Sequence, residues 1–259
     1  MFQLYHDDCL NVMPTLGDKS VDLICCDLPY GVTANKSDIV IPFADLWREY
    51  ERIIKDNGAI VLFAQGVFYV DLVQSNRKLF RYDLVWDKVL TTGFLNANRM
   101  PLRQHEQIAV FYKELPTYNP QKTEGKALHD AGKNLHNNTN HNYGKFDPNP
   151  NKTAGNTEKY PTSILRFEKS HPSVAKHRTE KPVELLKWII KTYTNEGETV
   201  LDNCMGAGSC GIAAVECGRN FIGIEKDAHY FEIAESQIKE AKLVTDKIYR
   251  HPTLADVFD

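Results

Sequence analysis

Residues 199–225 constrain the fold more than any other part of this 259-residue chain. A short apolar run there ends in Asp202, a glycine-rich turn follows, and Cys210–Cys217 is an apolar segment of helical length. A second apolar run, residues 220–224, again ends in an acid, Glu225. A strand, a tight turn, a helix and a second strand in this order are typical of an α/β fold with helices packed on an open sheet.

The glycines of this turn indicate a nucleotide-like cofactor. Gly206, Gly208 and Gly211 match the G-x-G-x-x-G fingerprint of dinucleotide-binding proteins. However, Asp202 lies between the strand and the glycines, where its negative charge would oppose a pyrophosphate. A cofactor with a cationic amino-acid head and no phosphate would suit it better, and S-adenosylmethionine is such a cofactor. Glu225 would then accept both ribose hydroxyls, whereas an NAD-dependent oxidoreductase stays an alternative.

A second motif, Asp27-Leu28-Pro29-Tyr30, follows the apolar run Leu23–Cys26 near the other end of the chain. These residue types suit a planar ring that bears an amino group. Asp27 can accept one N–H of that group and the Leu28 carbonyl the other. Pro29 stiffens the turn without offering a competing N–H, and Tyr30 can stack on the ring. The alternative is an ordinary Asp-Pro turn after a strand.

Together the two motifs resemble those of the amino-group DNA methyltransferases. Residues 27–30 are similar to the D-P-P-Y motif of that family, and residues 202–209 to its D-P-F-x-G-S-G-T cofactor motif. The order, with the catalytic motif first, is that of the family's beta group, a circular permutation of the usual methyltransferase. The resemblance covers roughly residues 3–70 and 176–240.

The resemblance implies a site-specific DNA methyltransferase. Such an enzyme transfers a methyl group from S-adenosylmethionine to the exocyclic amino nitrogen of a base, by base flipping and direct in-line transfer. Beta-group cytosine-amino enzymes usually carry Ser at the place of Asp27, so the resemblance favours adenine. The alternatives are a cytosine-amino DNA methyltransferase, an RNA amino-methyltransferase, and a non-catalytic nucleic-acid-binding module of the same fold.

The candidate site residues follow from the motifs and from the resemblance. The catalytic residues are Asp27, Leu28, Pro29 and Tyr30. The cofactor-binding residues are Asp8, Cys9, Lys181, Asp202, Asn203, Met205, Gly206, Gly208, Ser209 and Glu225. An Asp at the place of Asp8 touches the cofactor adenine in the resembled family, although Asp8 also suits a helix N-cap. The resemblance pairs Lys181 with the methionine carboxylate, although a solvated Lys is the plainer interpretation.

The chain departs from the family motifs at three positions. Leu28 replaces the first proline of the catalytic motif, but the backbone carbonyl that the chemistry needs is retained. Asn203 and Cys204 replace the usual Pro-Phe after Asp202. This change affects the packing of the cofactor adenine or its loop.

Strand and helix patterns alternate along the chain, which predicts an α/β fold with an open, mostly parallel, doubly wound sheet. With the resemblance this becomes a Rossmann-like, circularly permuted methyltransferase. Residues 1–112 and 161–245 form the predicted discontinuous catalytic domain, and residues 246–259 a loose C-terminal tail. Within the domain, a helix begins near Pro182, with Thr179 or Glu180 as its cap, and residues 229–242 form the last helix.

Residues 113–160 are predicted to be an irregular inserted target-recognition segment, because apolar periodicity stops there and Asn, Gly, Pro, Lys and His dominate. Residues 121–181 carry eleven Lys or Arg and six Asp or Glu in a chain whose net charge is −3. Lys and Arg hold phosphate, and Asn and Gln read adenine edges, so double-stranded DNA is the expected partner. A solvated low-complexity insert is the alternative.

The composition indicates the cellular compartment of the protein. Its six cysteines form no C-x-x-C pair, which predicts reduced thiols and no metal site. Neither a signal peptide nor a membrane helix is expected. The predicted location is therefore the cytoplasm of a bacterial or phage-infected cell. Relatives in the resembled family often dimerise, so a possible homodimer is a further expectation.

Overall fold

The structure is a computed structural model that describes residues 1–32, 38–127, 155–169 and 180–250, with side chains as far as residue 247. The chain divides into two compact units. The larger one contains Met1–Asn119 and Ser163–Asp259, and the smaller one contains Pro120–Thr162.

The larger unit contains a sheet of eight strands. These strands are β1 (Phe2–His6), β2 (Val21–Asp27), β3 (Ile54–Ala64), β4 (Phe80–Thr92), β5 (Arg103–Phe111), β8 (Ile164–Arg166), β9 (Thr199–Asp202) and β10 (Asn220–Glu225). Its helices are α1 (Cys9–Val12), α2 (Phe43–Ile53), α3 (Gly66–Ser75), α4 (Val183–Tyr193), α5 (Ser209–Glu216) and α6 (Ala228–Arg250). Short 3-10 turns lie at Met13–Thr15 and Phe94–Asn96.

The strand order in this sheet is β1-β10-β9-β2-β3-β5-β4-β8. The first five strands pair in parallel, and β8 pairs in parallel with β4. Only β5 runs against its neighbours, β3 and β4. The carboxyl ends of β2, β3, β4, β9 and β10 therefore lie at one edge, together with the beginning of β5. The predicted open, mostly parallel α/β sheet is confirmed.

Helices cover both faces of the sheet. Alternate residues of β2 show this, because Leu23 and Cys25 pack in the core that includes α4, α5 and α6, whereas Ile24 and Cys26 pack in the core that includes α1, α2 and α3. A strand buried on both faces reads as a continuous apolar run. The run before Asp27 is therefore a central strand, and this arrangement is the predicted doubly wound one.

The start of α4 differs from the prediction. Pro182 is the N-cap residue rather than part of the first turn, and the N-cap position has no side-chain hydrogen bond. Glu180 does not cap this helix, because its carboxylate instead accepts a hydrogen bond of 2.9 Å from the Ser209 hydroxyl. Thr179, the other predicted cap, lies outside the described residues.

The last helix is longer than predicted, because α6 continues to Arg250 through the start of the predicted tail. An ion pair of 2.7 Å joins Lys242 to Asp246, four residues later. In addition, the buried Thr245 donates its hydroxyl to the Ala241 carbonyl. These local bonds extend the helix beyond the apolar pattern. The rest of the predicted tail, residues 251–259, lies outside the described residues.

The smaller unit contains an antiparallel pair, β6 (Thr123–Glu124) and β7 (Glu158–Lys159). An ion pair of 2.8 Å joins Lys122 to Glu158. Residues 128–154, which make up most of the predicted recognition segment, lie outside the described residues. The role and the bounds assigned to residues 113–160 stay predictions.

Candidate active site

The two motifs line one cavity of about 630 Å³ in the larger unit. Asp27 ends β2, Asp202 ends β9, and Glu225 ends β10. Because these three strands run in parallel, their last residues meet at the same edge of the sheet, where α/β proteins bind their ligands. Two stretches separated by more than 170 residues in sequence therefore build one site.

Asp27 already has partners for both carboxylate oxygens. Its Oδ1 accepts the Tyr30 hydroxyl at 2.6 Å, and its Oδ2 accepts the Lys181 ammonium at 2.5 Å. The Tyr30 ring stacks on Phe68 with ring centroids 4.9 Å apart. Burial, followed by the charge of Asp27, raises the pKa of Tyr30 well above its usual range, so its hydroxyl stays a donor. The carboxylate is thus held in one orientation at the cavity wall.

Leu28 and Pro29 also line the cavity. Leu28 is buried and packs in the same apolar core as α1, α2 and α3. Its side chain therefore anchors the motif where the resembled family has a proline.

A row of buried charges continues from Asp27 into the sheet. The Lys181 ammonium, which also contacts Asp27, lies 3.3 Å from Oε2 of Glu106, and the Lys88 ammonium lies 3.3 Å from Oε1. The approach of Lys181 to Oε2 is not in hydrogen-bonding geometry, so that oxygen has no hydrogen bond among the described residues. The row alternates in sign, so each buried charge faces an opposite one.

The pKa values within this row follow from the alternation. Burial alone would lower the pKa of the Lys181 ammonium, but the charges of Asp27 and Glu106 outweigh it and raise that pKa. Burial alone would raise the pKa of the Glu106 carboxyl, but Lys181 and Lys88 outweigh it and lower that pKa. Both residues are therefore charged at neutral pH.

The sequence motifs did not indicate Glu106, Lys88 or Glu180. Glu106 lies near the start of β5, and it reaches the site edge because β5 runs antiparallel to its neighbours. Lys88 lies toward the end of β4, which reaches the same edge. The direction of a strand is set by pairing and not by its local pattern, so the sequence carried no direct signal for these two residues.

The glycines of the cofactor turn have different structural reasons. Gly206 has a φ of +51° and nothing within 4 Å of where a Cβ would lie, so it leaves open space in the turn. Gly208 has a φ of +90°, and a Cβ there would lie 2.9 Å from Cβ of Ala234 in α6. A Cβ on Gly211 would lie 2.3 Å from Ile238. The third glycine of the fingerprint is therefore explained by helix packing.

Asp202 is a buried carboxylate that forms no ion pair with Lys or Arg in the described part of the chain. Its Oδ1 accepts the backbone N–H of Cys204 at 3.1 Å. Burial raises the pKa of Asp202 to about 7, and the charges of Asp27 and Glu225 act in the same direction. A buried carboxylate without a cation favours a positively charged ligand.

Glu225 is fixed by the backbone around it. Its Oε2 accepts the N–H of Gly206 at 2.9 Å, and its Oε1 accepts the N–H of Asp227 at 2.8 Å. The end of β10 and the glycine turn are therefore held together through one carboxylate. Each oxygen retains a lone pair that could accept a hydroxyl.

The remaining predicted cofactor residues line the same cavity. Asp8 caps α1 by accepting the N–H of Leu10 at 2.9 Å, so the N-cap interpretation is confirmed. Asn203 is buried and accepts the Tyr50 hydroxyl at 2.5 Å. The other three are Cys9, Met205 and Ser209. Their contact with a cofactor stays a prediction.

Lys181 contacts the catalytic motif in the structure. The resemblance assigned it to the methionine carboxylate of the cofactor, but in the structure its ammonium contacts Asp27 and Glu106 and faces the rings of Phe63 and Trp86. It therefore belongs to the row of charges behind the catalytic motif. Its assignment to the cofactor stays a prediction.

These residues fit S-adenosylmethionine. The ligand carries an ammonium and a sulfonium, and Asp202 offers a buried anion without a cationic partner. Its ribose hydroxyls suit the fixed carboxylate of Glu225. The described residues contain no group of His, Cys, Asp and Glu arranged to hold a metal ion. None of the helices described is long and apolar enough to cross a membrane.

Comparison with known proteins agrees with this fit. The family described as DNA methylase matches residues 21–236. DNA adenine methyltransferase YhdJ of Escherichia coli (strain K12) is 27% identical and covers 98% of this chain and 92% of its own.

Two solved structures are also similar. The M1.HpyAVI–SAM complex is 24% identical with a TM-score of 0.62, over 92% of this chain and 100% of that one. PvuII DNA methyltransferase (cytosine-N4-specific) is 13% identical with a TM-score of 0.67, over 95% of this chain and 92% of that one. These two likenesses show the fold.

The chain therefore belongs to the DNA methylase family. The predictions of an amino-methylating DNA methyltransferase, of S-adenosylmethionine as its methyl donor and of a Rossmann-like methyltransferase fold are confirmed. The roles of individual site residues stay predictions.

Proposed function

We propose that this protein methylates the exocyclic amino nitrogen of adenine within a short sequence of double-stranded DNA. The observation that carries the proposal is the single cavity that residues 27–30 share with the glycine turn and Glu225. A base that enters beside Asp27 would lie next to a cofactor held by Asp202. S-adenosylmethionine supplies the methyl group when it is bound.

The residues of the chain would act by orienting the amine. Asp27 would accept one N–H of the amino group and the Leu28 carbonyl the other, which favours a more tetrahedral and more nucleophilic nitrogen. Each carboxylate oxygen accepts more than one hydrogen bond, so the Tyr30 hydroxyl can stay in place. The Lys181 ammonium would hold the carboxylate in the orientation in which it accepts the amine. Orientation of this kind is a large part of catalysis.

The target base would have to leave the duplex to reach the cavity. An amino group within a stacked helix cannot approach a carboxylate at the end of a buried strand, so the base would be flipped out at a cost of a few kcal/mol. Stacking on Tyr30 would offset roughly 1–3 kcal/mol of that cost. Because Tyr30 packs against Phe68, its ring is already held in place.

Adenine is the favoured base for two reasons. The catalytic acid is Asp27, where beta-group cytosine-amino enzymes usually carry Ser. In addition, the E. coli relative that matches most of the chain is named a DNA adenine methyltransferase. Cytosine is the second candidate, because the PvuII enzyme of similar fold is named cytosine-N4-specific.

Residues 113–160 are the segment that we expect to contact the bases of the target sequence. Their Lys, Asn and aromatic side chains would supply base recognition. A homodimer and a cytoplasmic location in a bacterial or phage-infected cell complete the proposal.

The proposal is tested by incubating the protein with labelled S-adenosylmethionine and, separately, duplex DNA, RNA and an unrelated protein. We expect label only in DNA, on adenine after hydrolysis to nucleosides, and none with Asp27→Ala. Label only in RNA or in protein would contradict the proposal. Tight NAD binding without binding of S-adenosylmethionine would establish the oxidoreductase alternative.

A further inference from the structure

The β4–β5 hairpin tip, defined here as residues 89–104, is an ordered structure. Within it, Gly93 has a φ of +85°, and the Gly93 carbonyl accepts the N–H of Asn96 at 2.9 Å. The Asn96 carbonyl in turn accepts the N–H of Met100 at 3.0 Å. These short-range bonds fold the tip into a compact turn.

The base of the tip is fixed as well. Asp87 Oδ1 accepts both the backbone N–H of Val89 and the amide of Gln104, each at 2.9 Å, and so joins the two strands. Val89 has a φ of +64°, a costly conformation for a β-branched residue. It lies where the register of β4 and β5 shifts. A defined bulge at the base of the tip therefore sets the direction in which the tip leaves the sheet.

Large apolar side chains are exposed on this compact turn. Phe94 is 76% exposed and Leu95 is 86% exposed. Three further exposed apolar residues of the tip are Leu90, Met100 and Leu102. An exposed apolar group of this size on an ordered element indicates an interaction site.

The charges of the tip indicate a polyanionic partner. No acidic residue occurs between Asp87 and Glu106. Arg99 and Arg103 are exposed, and neither has a carboxylate partner within the described ranges. A mixture of arginines and apolar side chains fits a DNA duplex, in which phosphates surround stacked bases.

The tip projects from the edge that holds the site. Through β3 and β5, the register places Asp27 level with Leu84 of β4. The tip lies about ten residues further along the strand, which corresponds to at most about 33 Å. A duplex that presents a base to Asp27 would lie across this edge, which is the edge from which the tip projects.

We propose that the β4–β5 hairpin tip is a wedge that enters the duplex beside the target base. Phe94 and Leu95 fill the space that the flipped base leaves, and Arg99 and Arg103 hold the adjacent phosphates. Apolar wedges of this kind separate base steps in proteins that distort DNA. The inference rests on the proposed function, because it needs a base to be flipped.

The test compares two unmethylated duplexes that contain the sequence that the enzyme methylates. One is fully paired, and the other has an abasic position opposite the target base. In the second duplex the target base has no pairing partner, so flipping it out requires less free energy. We expect Phe94→Ser/Leu95→Ser to lower kcat/KM about tenfold or more on the normal duplex and at most about threefold on the abasic one. The control is Leu243→Ser, which changes an exposed apolar residue of α6 and should alter neither value.

The outcomes separate this inference from the proposed function. If the wild-type protein methylates neither duplex, the proposed function fails, and the wedge fails with it. If the wild type is active but the double variant has the same reduction of kcat/KM on both duplexes, only the wedge is overturned. The same holds if kcat/KM of the double variant is unchanged on both. A change from dimer to monomer in sedimentation would assign the tip to a second copy of the chain and would also overturn the wedge.

The arginines give an independent measurement. We expect Arg99→Gln/Arg103→Gln to weaken binding to any duplex and to reduce the slope of log K against log salt by about 2. Binding of S-adenosylmethionine should stay unchanged. An unchanged salt slope would place both arginines away from the phosphates and overturn their part of the proposal.

Discussion

Asp27 and Asp202 end neighbouring parallel strands of one sheet and line one cavity, but their surroundings differ. Asp27 has an ion pair with Lys181 and a hydrogen bond from Tyr30. Asp202 has the backbone N–H of Cys204 and no cationic side chain among the described residues. Burial raises the pKa of Asp202 to about 7.

The difference shows how neighbours give two similar carboxylates different tasks. The strand ends determine where the two groups lie, but the side chains around them determine what each can bind. The negative charge of Asp27 is balanced by the ammonium of Lys181, and the fixed carboxylate can accept a hydrogen bond from an amine. Asp202 forms no ion pair within the described residues, so a cationic ligand could supply the opposite charge. We therefore propose a chemical role for Asp27 and a cofactor role for Asp202.

The largest expected effect is that of Asp27→Ala. Loss of the acceptor should reduce methyl transfer by at least about 1,000-fold, while the dissociation constant of S-adenosylmethionine changes less than about threefold. Single-turnover transfer and calorimetry measure the two quantities. Asp18→Ala, a change in a largely exposed carboxylate, is the matched control. Undiminished transfer would remove Asp27 from the mechanism.

Lys181→Met tests the row of charges. It leaves Glu106 and the half-buried Asp27 with one cation fewer, so the free energy of unfolding should fall by about 3–5 kcal/mol. Adding Glu106→Gln should restore part of that loss, because it removes the uncompensated anion. Urea denaturation of the two single variants and the double variant measures this coupling. Unaltered stability with weaker cofactor binding would instead favour the methionine carboxylate as the partner of Lys181.

Asp202→Asn should stabilise the ligand-free protein at pH 8. The pKa of about 7, against an ordinary value of 3.8, means that the folded protein retains a proton that the unfolded chain has lost. The free energy of unfolding therefore falls as pH rises from about 4 to 7. At pH 8 the variant avoids this penalty and should gain up to about 4 kcal/mol, whereas near pH 4 the gain should vanish.

The measurement is thermal unfolding from pH 4 to 8, with binding of S-adenosylmethionine measured alongside. Asp22→Asn is the matched control, because that buried carboxylate already has an ion pair of 2.6 Å with Lys55. The control should lose stability at pH 8, opposite in sign to Asp202→Asn. Tight cofactor binding by Asp202→Asn would contradict the role given to the carboxylate.

The smallest effect is expected for Tyr30→Phe. The variant keeps the ring that stacks on Phe68 but loses the hydroxyl that Asp27 accepts. Lys181 still holds the carboxylate, so transfer should fall only about threefold to tenfold. Steady-state kinetics on duplex DNA would measure the change, with Tyr30→Ala as a larger truncation. A loss as large as that of Asp27→Ala would mean that the hydroxyl itself takes part in the chemistry.

Much of the site could be predicted because it depends on local patterns. Asp27, Asp202 and Glu225 each follow an apolar run, and parallel strands bring their carboxyl ends to one edge. The glycine turn was readable for a similar reason, because positive φ at Gly206 and Gly208 restricts the residue type.

The rest of the site depends on pairing between distant residues. Glu106 reaches the edge only because β5 runs antiparallel, and nothing in its own segment specifies that direction. The contact of Lys181 with Asp27 spans 154 positions in sequence. The resemblance pairs Lys181 with the methionine carboxylate of the cofactor, and it carries no signal for the contact of the ammonium with Asp27.

The most direct test of the account is to incubate unmethylated genomic DNA with S-adenosylmethionine and either the wild-type protein or Asp27→Ala, and to sequence the modified bases. We expect methylated adenines in one short sequence with the wild-type protein and none with the variant. Methylated cytosines would contradict the choice of base. Unmodified DNA from protein that still binds the cofactor would contradict the proposed adenine target.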